Sequence, residues 1–457
     1  MKKLLNTICK YILRFIITCR LHWPLAFFYC SQIKRVIPSN GAPRDPSKPT
    51  LLAITSHYFL KDLEILADTG EINIFKLLPK WQGILLRLYW TDKTWGGSEK
   101  DFRKTNKDYY QPQDQKMIKM QKKLRKAMGI FLETVFRIMK IDAVISANFT
   151  YRADYEYSIV TRNIGLPYIV FHKENLVLSK GLEEYWNIYM EDIGKFRGSM
   201  IILHNEKMKE IILKANFAAP AQLAVLGCLR MDSFINKVMK QDFFSEKAKF
   251  KRVTLFSFQK NAGLEMMYNE YFADKGFVKL FENYHVVFAQ AAIAHPDIEF
   301  IIKPKYGKEW FKAIEKELNR SNIFLKDVPN LKMTVDKTAQ ELIFSSDFVI
   351  SFQSTTILEA AFAGKPVIIP DFDEALKPEY QDYLVLKENY NLFDKAGSCE
   401  ELRKLIEDRI LDSSVSEEYI VKMRDFFDKH VSSLHANSTE RYIKQVNEVI
   451  KSSLKKT

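Results

Sequence analysis

A chain of 457 residues is too long for one ordinary hydrophobic core, so two domains are expected. Its 47% hydrophobic and 27% charged content excludes a disordered or fibrous protein. The net charge of +13 points to an anionic membrane surface, an anionic substrate such as a nucleotide, or nucleic acid, while five scattered cysteines without a CxxC pair exclude a disulfide framework and suggest no zinc site.

No acidic residue precedes Asp45. In residues 1–44, Lys2, Lys3, Lys10, Arg14, Arg20, Lys34 and Arg35 are interleaved with apolar and aromatic side chains. Helical spacing puts Leu5, Ile8, Ile12, Phe15, Ile16 and Cys19 on one face and Lys3, Asn6, Lys10 and Arg14 on the other. Charges interrupt the run too often for a spanning helix, and a signal-peptide cleavage site is lacking. The segment is therefore expected to lie in the plane of a membrane, with His22, Trp23, Pro24, Phe27, Phe28 and Tyr29 as interfacial contacts.

From residue 50 onward, apolar runs without period-two alternation suit parallel strands covered on both faces. TLLAIT (50–55), DAVISAN (142–148), LPYIVFH (166–172), SMIILHN (199–205) and AQLAVLG (221–227) read as strands. Helical patterns separate them at 115–140, 155–165 and 206–217, and a basic, aromatic stretch carries Trp81, Trp90 and Trp95. The lysine-rich residues 233–251 read as an interdomain connection. A second alternation follows: RVTLFSF (252–258), a helix over 271–295, IEFIIKPK (298–305), LKMTV (331–335), DFVISF (347–352), a small-residue helix and KPVIIP (365–370). The fold class expected is thus α/β, two Rossmann-like doubly wound domains facing across a cleft, with an N-terminal amphipathic segment. The boundaries read as 1–44, 45–240 and 241–457, with the last helix a candidate to pack back on the first domain.

Four stretches can carry chemistry. Gln353, Ser354, Thr355 and Thr356 follow a buried strand, where unpaired N–H groups and hydroxyls suit a phosphate. Lys303 and Lys305 end another strand and can clamp a diphosphate, with Pro304 stiffening the turn between them. Gly227, Arg230 and Asp232 lie at the last strand of the first half, and Ser257 and Gln259 enter a polar loop at the first strand of the second. Glu359, one helical turn beyond the Ser-Thr-Thr run, suits a donor ribose.

This ordered set, Gly-x-x-Arg-x-Asp, a strand with a polar loop, Lys-Pro-Lys, and Ser-Thr-Thr-x-x-Glu with Gly-Lys-Pro, resembles bacterial surface-polysaccharide glycosyltransferases of the GT-B fold, relatives of the CDP-glycerol glycerophosphotransferases. The likeness runs over residues 221–370 and returns at ANSTERYIKQV (436–446). It implies a nucleotide-activated donor bound by the second domain and a glycan or lipid-linked acceptor bound by the first. Related proteins commonly have His-Pro where Lys305-Tyr306 stands and Pro where Leu229 stands, which favours a sugar over a polyol phosphate.

An inverting transferase needs a base for the acceptor hydroxyl. His172 and Glu174 end the strand PYIVF, with Lys173 between them for an acidic acceptor or leaving phosphate, and His57 with Asp62 form a second pair. Asp371-Phe372-Asp373 has the spacing of a metal-binding pair, but lysines and backbone donors can neutralise a leaving diphosphate, so neither metal nor other cofactor is expected. Expected partners are a nucleotide-sugar, a glycan or lipid-linked acceptor and the inner face of a bacterial cytoplasmic membrane, without nucleic acid. The alternatives are a polyol-phosphate transferase on the same fold and a non-catalytic membrane-associated nucleotide-binding scaffold.

Overall fold

The computed structural model describes residues 2–90, 107–240, 251–264, 276–307 and 309–454, with side chains from residue 10 to residue 453. Two compact units emerge. The first comprises residues 1–175, 186–232 and 435–457, and the second comprises residues 176–185 and 233–434.

The first unit carries β1 (Lys34–Arg35), β2 (Thr50–Ala53), β3 (Asn73–Lys76), β4 (Ala143–Ser146), β5 (Tyr168–Phe171), β6 (Met200–Leu203) and β7 (Leu223–Val225). They lie in the order β1-β3-β2-β4-β5-β6-β7. Every pairing is parallel except the short β1 against β3. All four side chains of β2, β4, β5 and β6 are buried, the pattern of strands covered on both faces.

The second unit carries β8 (Arg252–Phe256), β9 (Glu299–Lys303), β10 (Leu331–Met333), β11 (Phe348–Ser351), β12 (Val367–Pro370) and β13 (Asp394–Ala396). Their order is β10-β9-β8-β11-β12-β13, all parallel. In each sheet the order reverses once, between β2 and β4 in the first and between β8 and β11 in the second. At such a reversal the crossovers depart on opposite sides and leave the carboxyl ends open.

The long apolar strands are where the sequence puts them. β1, β3 and β13 are not among the sequence-predicted strands, because they are short and partly polar at sheet margins. Residues 233–239, expected within a connection, belong to the Asp232–Met239 helix, whose Phe234, Ile235 and Val238 are buried. The lysines around these three apolar residues masked the pattern. The helix expected over 271–295 is observed as Val278–Ala294, and residues 271–275, like Trp95 and residues 241–250, lie outside the described residues.

The chain leaves the first unit at Asp232 and re-enters it at His435. Asp232 is buried, and its carboxylate accepts from the N–H of Ser438 (3.2 Å), the N–H of Thr439 (2.7 Å) and Thr439 Oγ1 (2.8 Å). It thus caps the Ser438–Leu454 helix from another segment. From that helix, Arg441 donates to the Val225 carbonyl (2.7 Å) and Tyr442 Oη to the Gly227 carbonyl (3.1 Å). Gly227 has φ +85°, a turn glycine adopts without strain. Asp232 and Gly227, expected to line a ligand site, form the two ends of this clasp.

Replacing Asp232 by Ala is expected to lower unfolding stability by about 1–2 kcal/mol, because it strips the cap from the terminal helix. An unchanged urea midpoint would show that the clasp does not hold that helix.

Candidate functional site

In the second unit, Ser257 follows β8 and Phe352 to Thr355 follow β11, so both stand at the reversal of strand order. Lys303 closes β9 beside them, and the Ser257 N–H donates to the Lys303 carbonyl (3.0 Å). Lys303 is half-buried, and its ammonium has one hydrogen bond among the described residues, a long 3.3 Å contact to the Pro304 carbonyl. Burial pushes this ammonium down, and Asp336 only partly offsets that. An under-solvated cation of this kind gains from an anionic ligand. Lys305 is exposed beyond the turn, over the Tyr306 ring.

The four polar residues of the Gln353–Thr356 run do different things. Gln353 has φ +50°, a left-handed turn that swings the chain from strand to helix. Its amide Nε2 donates to the Tyr383 carbonyl (3.0 Å), and its Oε1 accepts from the Val385 N–H (2.8 Å). Gln353 is therefore a staple between loops, with both amide atoms engaged, rather than the ligand group expected. Thr356 Oγ1 is likewise held at 2.9 Å from both Ser351 Oγ and Ser354 Oγ. That leaves the N–H groups of Ser354 and Thr355, for which no partner occurs among the described residues, and the exposed Thr355 hydroxyl, weakly tied to Glu359 at 3.3 Å. Glu359 is buried in the first turn of the Thr356–Phe362 helix, and Gln259 is exposed after β8.

The Asp371-Phe372-Asp373 pair is built into the fold. Lys387 binds Asp371 Oδ1 at 2.5 Å, while Asn283 donates to Asp373 Oδ2 at 2.6 Å. No group of His, Cys, Asp and Glu among the described residues is placed to hold a metal ion.

In the first unit, the predicted base does not reach solvent. His172 is 0% exposed, stacked on Phe149 (4.7 Å between centroids) and edge-on to Trp186. Its Nε2 donates to the Glu174 carbonyl (3.1 Å), its Nδ1 is buried without a partner, and burial pushes its pKa down to about 3. A neutral, enclosed ring cannot exchange protons with a substrate hydroxyl, so His172 is a core residue. Glu174 stays exposed on the following loop.

The second pair is better placed. His57 and Tyr58 lie in a turn after β2, and Tyr151 follows β4, the two strands at which this sheet reverses. His57 is exposed and packs on the Tyr58 ring (3.9 Å), which in turn lies 5.4 Å from the Tyr151 ring. Partial burial, then the Lys173 charge, lowers the His57 pKa, so the imidazole is neutral at neutral pH and holds a free lone pair. Lys173 donates to the Tyr58 carbonyl. Asp62 is buried 3.7 Å from Arg230; burial raises its pKa, and Arg230 followed by Lys173 opposes the rise. His204, after β6, is kept neutral by burial and by Arg230. The two tyrosines and His204 were missed because single aromatic or histidine residues after strands form no motif.

The His57 turn is set by Thr55, whose φ is +47°. The Thr55 N–H donates to Gln82 Oε1 (2.9 Å), and Gln82 Nε2 donates to Asp154 Oδ1 (3.0 Å). Thr55 Oγ1 lies 2.8 Å from the Ile54 carbonyl and 3.1 Å from Asp154 Oδ2. A hydroxyl has one proton for these two oxygens, so a proton on Asp154 completes the network. Burial raises the Asp154 pKa to about 8, against the donor bonds from Gln82 and Thr55.

No family model and no curated protein matches the chain. Among solved structures it is similar to the UDP-GlcNAc 2-epimerase from Neisseria meningitidis bound to UDP-GlcNAc, at 14% identity over 87% of this chain and 100% of that one, with a TM-score of 0.47. It is similar to a glycosyltransferase from Rickettsia africae ESF-5 at 13% identity, over 90% and 100% of the two chains, with a TM-score of 0.45. It is also similar to the wall teichoic acid polymerase TagF, at 14% identity over 69% and 73%, with a TM-score of 0.42. The two-sheet fold rests on the strand pairings themselves.

A carboxyl whose pKa is about 8 in the fold and about 4 when unfolded favours folding fully below pH 4 and loses that contribution as pH rises through 8. Wild-type melting temperature is therefore expected to fall between pH 5 and about 8 relative to Asp154→Asn. Parallel curves for the two proteins would refute a protonated Asp154.

Proposed function

We propose that the protein transfers a sugar from a nucleotide-activated donor to a lipid-linked or growing cell-surface polysaccharide acceptor, working at the inner face of a bacterial cytoplasmic membrane. The observation that carries this reading is Lys303, a half-buried cation pushed toward its neutral form at the end of β9, on the same edge of the sheet as the N–H groups of Ser354 and Thr355, which have no partner among the described residues and follow β11 at the reversal of strand order. A diphosphate supplies what that arrangement lacks, and Lys305 adds a second, exposed charge. The donor is assigned to the second unit with Lys303, Lys305, Ser354, Thr355, Ser257, Gln259 and Glu359. The acceptor is assigned to the first, with exposed, neutral His57 as the base for its hydroxyl and Lys173 and Arg230 as cations for an acidic acceptor.

Support for the membrane half comes from the first two helices, Lys2–Thr18 and Trp23–Gln32. Among the described residues no helix is long and apolar enough to cross a membrane. In the part of the Lys2–Thr18 helix whose side chains are described, Tyr11, Ile12 and Phe15 are exposed, whereas Ile17 is buried and Arg14 donates to the Leu88 carbonyl. Arg14, expected on a free polar face, is thus a tether to the protein. The second helix is pinned by its Tyr29, whose Oη donates to the Trp81 carbonyl (3.0 Å), and by the preceding His22, whose Nε2 lies 2.9 Å from Thr134 Oγ1. Trp23, Phe27 and Phe28 remain exposed. Side chains of Leu5, Ile8, Lys3 and Asn6 lie outside the described residues. Exposed aromatics among cations, in a segment without an acidic residue before Asp45, complement an anionic bilayer.

A melting-temperature panel of CDP, UDP, GDP and their sugars tests the donor half: wild type is expected to be stabilised by at least one. Preference for CDP and CDP-glycerol turns the reading toward a polyol-phosphate transferase. Lys303→Ala with Thr355→Ala is expected to weaken that nucleotide at least about tenfold and to abolish transfer, with the unliganded melting temperature unchanged. Full turnover by the double variant sinks the site assignment. For the membrane half, Phe15, Trp23, Phe27 and Phe28 are replaced together by Ser, each contributing roughly 1.5–3 kcal/mol when its surface leaves water. The variant is expected to stay folded and to stop co-sedimenting with phosphatidylglycerol vesicles; undiminished sedimentation rules out this surface as the anchor.

A further inference from the structure

His285 sits in the Val278–Ala294 helix, 0% exposed, among Phe281 and Tyr284. Its Nδ1 lies 2.6 Å from the Phe281 carbonyl, one helical turn back, and its Nε2 lies 2.9 Å from Ser257 Oγ. A carbonyl oxygen only accepts, so Nδ1 carries the hydrogen; the opposite tautomer would set two lone pairs against each other at that distance. Burial pushes the pKa of the ring to about 4, so it holds a single proton at neutral pH. Its Nε2 therefore offers only a lone pair, and the Ser257 hydroxyl must donate to it. The neighbouring Tyr284 Oη donates to the Phe256 carbonyl (3.1 Å), fixing this part of the helix at the end of β8.

Ser257 itself is anchored by its N–H to the Lys303 carbonyl, and its half-buried hydroxyl has no partner other than His285 among the described residues. With its proton committed inward, its oxygen has only lone pairs for anything else. We infer that His285 is a positioning residue that makes Ser257 a hydrogen-bond acceptor toward the donor substrate, so that Ser257 contacts a hydroxyl or N–H of the nucleoside or sugar and not a phosphate oxygen. The inference rests on the donor reading of the second unit for its ligand, and on ring geometry together with the burial of the ring for the direction of the hydroxyl. It divides the site by polarity: Lys303 and the Ser354 and Thr355 N–H groups give protons to the anionic part, and Ser257 takes one from the rest.

Two measurements test it. In protein labelled with nitrogen-15 histidine, the His285 signals, identified by their loss in His285→Gln, are expected to show a protonated Nδ1 and an unprotonated Nε2 at neutral pH. The reverse pattern, or a doubly protonated ring, overturns the inference without touching the donor reading. Calorimetric titration with CDP, UDP, GDP, their sugars and inorganic pyrophosphate then compares wild type with Ser257→Ala. Loss of one such bond is expected to weaken nucleotide binding by about two- to tenfold and to leave pyrophosphate binding unchanged. An equal loss for pyrophosphate means that Ser257 faces phosphate and overturns the inference. If wild type binds none of these probes, the donor reading fails and the ligand assignment falls with it, while the ring nitrogens still decide which way the hydroxyl points.

Discussion

Two crossover connections that leave a parallel sheet on opposite faces cannot both cover the strand ends from which they depart. This constraint places the candidate site residues of both units. In the second sheet it opens the space after β8 and β11, which is why Ser257, Lys303 and the Ser354–Thr355 loop share one edge. In the first it opens the space after β2 and β4, where His57, Tyr58 and Tyr151 gather. The buried strands need no polar groups, and the uncovered ends are the places where polar residues can meet a ligand without loss of a hydrogen-bond partner.

Much of the polar chemistry at these ends serves the fold. Gln353 ties two loops through both amide atoms, Asp232 caps a helix that arrives from 206 residues away, and Asp371 and Asp373 are occupied by Lys387 and Asn283. Each would leave buried or half-buried groups unsatisfied if it turned to a ligand, at a cost comparable to the bond it would gain. The groups left for a ligand are those whose partners are missing or weak. Lys303, held by one 3.3 Å contact and depressed by burial, is the clearest of them.

The clasp also gives a physical reading of the family resemblance. Its two separated motifs, Gly-x-x-Arg-x-Asp and Asn-Ser-Thr-Glu-Arg-Tyr, are partners: Asp232 with Ser438 and Thr439, Gly227 with Tyr442. Both therefore follow from one structural need, to return the terminal helix to the first unit after the chain has built the second. Arg230, between these anchors, turns instead toward Asp62.

The sequence by itself determined the two alternations of apolar strand and helix, because short apolar runs without period-two alternation, separated by helical patterns, suit parallel strands covered on both faces. It also determined which loops follow strands, and so which polar residues stand at the strand ends, including Lys303, Ser257 and Thr355. Only the tertiary structure decided what each polar residue faces. A strand-end histidine reads alike whether it is sealed against Phe149 and Trp186, as His172 is, or exposed beside Tyr58, as His57 is. The short strands β1, β3 and β13 and the helix at residues 232–239 likewise depend on neighbours distant in sequence. Burial and hydrogen-bond satisfaction are properties of those neighbours, and so the assignment of staple or ligand group could be made only once the chain was folded.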